Sequence, residues 1–151
     1  MYKLLLIIVL ILCDLLSKQI IFYSIDLNNF IYINPFLELV HIHNFGISFG
    51  LFAGILPAWF FICIGCIIIL VLCIFYLKSK DSLEKWGYCY ILAGAFGNIL
   101  DRIFNGYVID FIYFHYQDFY WPAFNFADIY ITIGALIIVF QIINDIRKRI
   151  R

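Results

Sequence analysis

The chain has 151 residues, of which 66% are apolar, 21% aromatic and 13% charged. A soluble domain is roughly half apolar and about a quarter charged, and a disordered chain is more polar still, so both classes are excluded. Ten basic and ten acidic residues leave no net charge, which removes the electrostatic basis for nucleic-acid binding.

The length and composition fit a single integral-membrane domain over residues 1–151. A membrane-spanning helix needs about 20 mostly apolar residues, and four runs qualify: residues 4–23, 57–77, 86–104 and 127–144. The first run continues to Tyr23 with no small-x-small cleavage site, and Ile11-Leu12 ahead of Cys13 does not look like a lipoprotein processing site. It therefore reads as a permanent span rather than a secretory signal. It carries Asp14 and Lys18, which are four residues apart, share a helix face and can pair.

The segment 24–56 follows. Its stretch Phe30-Ile-Tyr-Ile-Asn-Pro-Phe-Leu-Glu-Leu-Val-His-Ile42 is aromatic and branched, and it is broken by Asn34-Pro35. That pattern predicts two short strands around a turn. The second span opens at Pro57, which suits a first helical turn. It has no ionisable residue and reads as scaffold. Cys63 and Cys66 form a C-x-x-C with no histidine or second pair nearby. With Cys13, Cys73 and Cys89 they make an odd count inside apolar runs, and all five read as packing residues rather than disulfide or metal ligands.

A polar loop, Lys78-Ser-Lys-Asp-Ser-Leu-Glu-Lys85, leads to the third span, in which Asn98, Asp101 and Arg102 share one face. In the segment 105–126, residues 107–114 again have strand character. The fourth span opens with Asn125-Phe-Ala-Asp128. Trp59, Trp86 and Trp121 suit an interfacial belt.

Eight of the ten basic residues (Lys3, Lys78, Lys80, Lys85, Arg147, Lys148, Arg149 and Arg151) fall on one side of a four-span chain, and the two longer loops have none. The positive-inside rule places both termini and the 78–85 loop in the cytoplasm. The alternating span directions then gather Asp14, Lys18, Asn44, Asn98, Asp101, Arg102, Asp110, Asn125 and Asp128 toward the outer face. Ionisable groups inside a span are costly and mark a functional site. Asp26, Glu38 and Asp118 read as solvated loop charges. His41, His43 and His115 read as interfacial side chains: His41 and His43 alternate on a strand, but no third ligand completes a metal site.

With the solvated loop charges set aside, Asp110 and Asp128 are the carboxylates left in the cluster that need no nearby basic partner in sequence. Two close aspartates can share one proton, so that one activates water and the other donates to a carbonyl oxygen. The serine-hydrolase and zincin motifs are absent, as are D-T-G and D-S-G. Two non-enzymatic readings stand beside this one. In a transporter or channel subunit the charges would line a pathway through the bilayer. In an assembly subunit they would pair with partner helices.

Five stretches, taken in order, resemble the lipoprotein signal peptidases (type II signal peptidases): Asp14-Leu-Leu-Ser-Lys18, His43-Asn-Phe-Gly46, Gly97-Asn-Ile-Leu-Asp-Arg102, Gly106-Tyr-Val-Ile-Asp-Phe111 and Phe124-Asn-Phe-Ala-Asp128. The resemblance implies a four-span aspartyl protease of the bacterial inner membrane. It implies Asp110 and Asp128 as the catalytic dyad, with Asn44, Gly46, Asn98, Arg102 and Asn125 around dyad and substrate, and Asp14, Lys18 and Asp101 supporting the site. It also implies a diacylglyceryl-modified prolipoprotein as substrate, no metal or other cofactor, and a monomer among membrane lipids. For the outer face it implies a small β-cradle and a short periplasmic helix near 112–119. Ile47-Ser48 departs from the two alanines that usually follow N-x-G in the family.

Overall fold

The three most apolar runs become α1 (Tyr2–Ser24), α2 (Ala58–Lys78) and α4 (Phe126–Ile150). In this computed structural model, residues 2–47 and 51–150 are described, so Ser48 of the Ile47-Ser48 departure lies outside the described residues. These three helices are long and apolar enough to cross a membrane. The fourth, α3 (Ser82–Asn105), has 24 residues and so the length to do so, but it carries Glu84, Lys85, Asp101 and Arg102.

The third helix starts earlier than expected. Asp81 caps it by accepting from the Glu84 backbone N–H at 2.8 Å, so half of the expected polar loop is helical. Gly106 ends it in the left-handed conformation at φ 82°, where a side chain would be strained. α3 is the central helix, packed against α1, α2 and α4. Its buried Gly87, Ala93, Gly94 and Gly97 let neighbouring backbones approach closely.

Four strands lie beyond the helices: β1 (Phe30–Asn34), β2 (Leu37–Asn44), β3 (Val108–Tyr116) and β4 (Phe119–Tyr120). They form one antiparallel sheet in the order β1-β2-β3-β4. The expected turn at Asn34-Pro35 is present, with Asn34 Oδ1 accepting from the Phe36 N–H at 2.9 Å. The register of β2 on β3 slips between Leu39 and Ile42. Leu39 faces Ile112 but Ile42 faces Asp110, so β2 carries one extra residue there. Such a bulge re-aims the side chains that follow it.

The helix expected near 112–119 is not there. That stretch continues β3 and turns through Gln117 at φ 52° into β4. Val108-Ile-Asp-Phe-Ile-Tyr-Phe-His-Tyr116 is branched and aromatic throughout, and pairing with β2 leaves no reason to coil. Beneath the sheet, Ile109, Phe111 and Ile112 pack on Ile21 of α1 and on Ile25 just after it.

Candidate active site

The site forms where α4 begins. Asn125 caps that helix, its Oδ1 accepting from the Asp128 N–H at 3.1 Å. In return Asp128 Oδ2 accepts from the Asn125 N–H at 3.2 Å. This is a reciprocal capping box with Asp in the third helical position. The Ala127 N–H, also left free by the helix start, donates to Asp14 Oδ1 on α1 at 2.8 Å.

The segment before the cap is pinned to β3, where the Phe111 and Ile112 N–H groups donate to the Phe124 carbonyl at 3.0 and 2.8 Å. This brings Asn125 beside Asp110. Its Nδ2 donates to Asp110 Oδ1 at 2.6 Å, and Asn44 Nδ2 donates to Asp110 Oδ2 at 2.9 Å. Asp128 Oδ1 accepts from Asn98 Nδ2 at 3.0 Å. Each aspartate is thus gripped by amides, and among the described residues neither is in an ion pair. Burial and the charge of Asp128 push the Asp110 carboxyl up to about 7, against the opposing pull of the Asn44 and Asn125 hydrogen bonds.

Asp110 and Asp128 both line a cavity of about 970 Å³, with Asn44, Asn98, Arg102 and Asn125. Its remaining wall is largely apolar, built from α2, α3 and α4. Phe60, Phe61, Ile64, Gly65 and Ile68 form the α2 side. Sequence reading took α2 for scaffold, because an apolar residue in an apolar span carries no signal of what it faces. Arg102 reaches across this space. It donates to the Gly46 carbonyl at 2.6 Å and the Asn98 carbonyl at 3.3 Å, and its guanidinium lies 5.6 Å from the Phe61 ring centre. Gly46 in turn donates to Asn44 Oδ1 at 2.9 Å.

Behind the cavity, Asp14 and Lys18 form the expected ion pair at 2.8 Å. Lys18 also meets Asp101 Oδ2 at 3.3 Å and Asn98 Oδ1 at 3.0 Å. Asp101 Oδ2 accepts from the Ile109 N–H at 2.9 Å. The structure therefore joins all the sequence-picked polar residues into one connected set.

Other expectations need correction. His41 is buried, not interfacial: the carbonyl of Ile25, just past α1, lies 2.7 Å from His41 Nδ1. His43 sits 3.0 Å from His41 and stacks on Tyr107 at 3.6 Å, and burial lowers its pKa. Glu38 is also buried, 3.7 Å from His115, because the sheet covers it. Among the cysteines only Cys89 is fully buried; Cys13, Cys63 and Cys66 face outward.

Comparison with known proteins agrees with this geometry. Residues 6–144 match the family model for signal peptidase (SPase) II. The lipoprotein signal peptidase of Wigglesworthia glossinidia brevipalpis is 41% identical over 139 residues, covering 91% of this chain and 91% of that protein. That of Serratia marcescens is 39% identical over 128 residues, covering 83% and 75%. Two bacterial membrane enzyme structures obtained by the in meso method, at 2.3 and 1.9 Å, superpose with TM-scores of 0.86 and 0.83. Each is 30% identical and covers 95% of this chain and 88% or 94% of its own. A cavity with two amide-held aspartates at the end of apolar helices, and similarity of this extent, establish that the chain belongs to the signal peptidase II family of membrane proteases.

Proposed function

We propose that this protein removes the signal peptide from diacylglyceryl-modified prolipoproteins, cutting just before the lipidated cysteine, and that Asp110 and Asp128 do the chemistry. The observation that carries this is their shared cavity: two carboxylates from different elements, bridged by Asn125, at the head of an apolar groove.

At neutral pH the pair holds one proton. The ionised carboxylate takes a proton from water as the water oxygen bonds to the scissile carbonyl carbon. The protonated carboxyl donates to the carbonyl oxygen, giving a neutral tetrahedral diol. The C–N bond then breaks as the newly protonated carboxyl gives its proton to the leaving nitrogen, one diol hydroxyl returns its proton to the other, ionised carboxylate, and the carbonyl re-forms as the new carboxyl end of the signal peptide. Arg102 and the Asn44 and Asn98 amides orient the peptide and the dyad.

The apolar groove between α2 and α4, floored by α3, accepts the apolar signal segment and the acyl chains from the bilayer. All four helices span the cytoplasmic membrane with both termini inside, in keeping with the basic residues of one side. The site then opens near the outer face, and one chain carries every residue the reaction needs.

The test is incubation of the purified protein with lipidated and unlipidated prolipoprotein, followed by mass spectrometry of the products. The expected result is a new N-terminal diacylglyceryl cysteine from the lipidated form alone. Equal cleavage of both forms, or a cut elsewhere, overturns the substrate assignment.

A further inference from the structure

Lys18 is fully buried and does not line the cavity. An ammonium has three protons to donate, and Lys18 has three acceptors: Asp14 Oδ2 at 2.8 Å, Asn98 Oδ1 at 3.0 Å and Asp101 Oδ2 at 3.3 Å. Each acceptor holds something next in line. Asp14 holds the Ala127 N–H at 2.8 Å, one residue before Asp128. Asp101 holds the Ile109 N–H at 2.9 Å, one residue before Asp110. Asn98, with its oxygen fixed toward Lys18, turns its Nδ2 to Asp128 Oδ1 at 3.0 Å.

We propose that Lys18 is a positioning residue that sets the spacing of the two aspartates, by fixing the main chain ahead of both and the amide that aims one of them. It touches neither substrate nor reacting atoms. The proposal deepens the dyad reading above and rests on it. The physical reason is that Asp110 and Asp128 come from independent elements, a strand and a helix start, with no covalent route shorter than 18 residues between them. A single charged hub bonded to both supports is a direct way to hold them in register, and small misplacements of reacting groups are costly.

The test uses full-length Lys18→Met, with Asp14→Asn/Lys18→Met beside it. The double variant removes one charge of each sign, and a carboxamide oxygen at 14 still accepts the Ala127 N–H. Each is purified, checked for cooperative melting, and assayed on lipidated prolipoprotein across pH, with Asp110→Asn and Asp128→Asn in parallel. We expect kcat to fall by about tenfold or more with KM within about twofold of wild type. The acid and alkaline limbs of the kcat profile should also draw together, because aspartates that move apart split their shared proton less. Loss of the lysine charge alone would move both limbs the same way and keep their spacing.

A folded variant with wild-type kcat or unchanged limb spacing overturns the positioning role. So does failure of both variants to fold, which would make the cluster a folding element only. If Asp110→Asn or Asp128→Asn still cleaves, the dyad itself falls, and that result is distinct from the others.

Discussion

Asn125 and Asp110 meet through a short hydrogen bond, Nδ2 to Oδ1 at 2.6 Å. The other end of the same amide caps α4 at the Asp128 N–H. One side chain thus holds one aspartate by its carboxylate and the other by its backbone. Asn125→Ala is expected to cost about 1 kcal/mol for the lost cap and to lower kcat by roughly a hundredfold through misplacement of both groups. Melting curves and cleavage rates on the same preparation check both. A stability loss with full activity would show that the bridge is only a cap.

Burial and the neighbouring charge of Asp128 push the Asp110 carboxyl up to about 7 in the folded protein, from an ordinary 3.8. Between those values the folded state binds the extra proton, so stability falls as pH rises from about 4 through about 7. Activity that needs the proton on the dyad falls through the same upper limit. The wild type should therefore lose more thermal stability than Asp110→Asn between about pH 4.5 and about 7.5, and its kcat should decline above about pH 7. Parallel pH slopes for the two proteins would contradict the raised value.

The helices and both strand regions were legible because long apolar runs, branched-aromatic runs and the Asn34-Pro35 break are local signals. The Asp14–Lys18 pair was legible from spacing on one helix. What lay across helices was not: Lys18 reaches Asn98 and Asp101 over some 80 residues of sequence. The capping box at Asn125 and Asp128 was readable from its spacing, yet it passed as a motif without its geometry. Residues 112–119 were expected as a helix by analogy, while their own side chains favoured the strand that forms. His41 reads as interfacial and Glu38 as solvated in the sequence, and only the pairing of strands distant in sequence buries them.

Gly97 of α3 packs against Asp14 of α1. A Cβ there would stand 2.5 Å from Asp14 Oδ2, inside contact distance of a buried carboxylate that cannot swing away. Gly97→Ala should destabilise by about 1–3 kcal/mol and impair cleavage as Asp14 is displaced from the Ala127 N–H. Unfolding midpoints and rates are the measurements; an unperturbed variant would mean that α1 shifts freely.

Arg102 spans the cavity with two nitrogens bonded to separate carbonyls. Lysine keeps the charge but not the planar fork. Arg102→Lys is expected to release Gly46 and the loop it anchors, lowering kcat/KM by about tenfold or more. Steady-state kinetics on the lipidated substrate would show it, and wild-type values would leave the guanidinium without a role.

Hydrolysis by Asp110 and Asp128 without a metal ion is checked by comparing cleavage by three proteins side by side. Wild type, Asp110→Asn and Asp128→Asn would be purified from membranes, shown to melt cooperatively, and given diacylglyceryl-modified prolipoprotein with and without EDTA. We predict that wild type cleaves equally in both conditions and that neither variant cleaves in either. Cleavage by a folded variant, or wild-type activity lost to EDTA and restored by zinc, would contradict it.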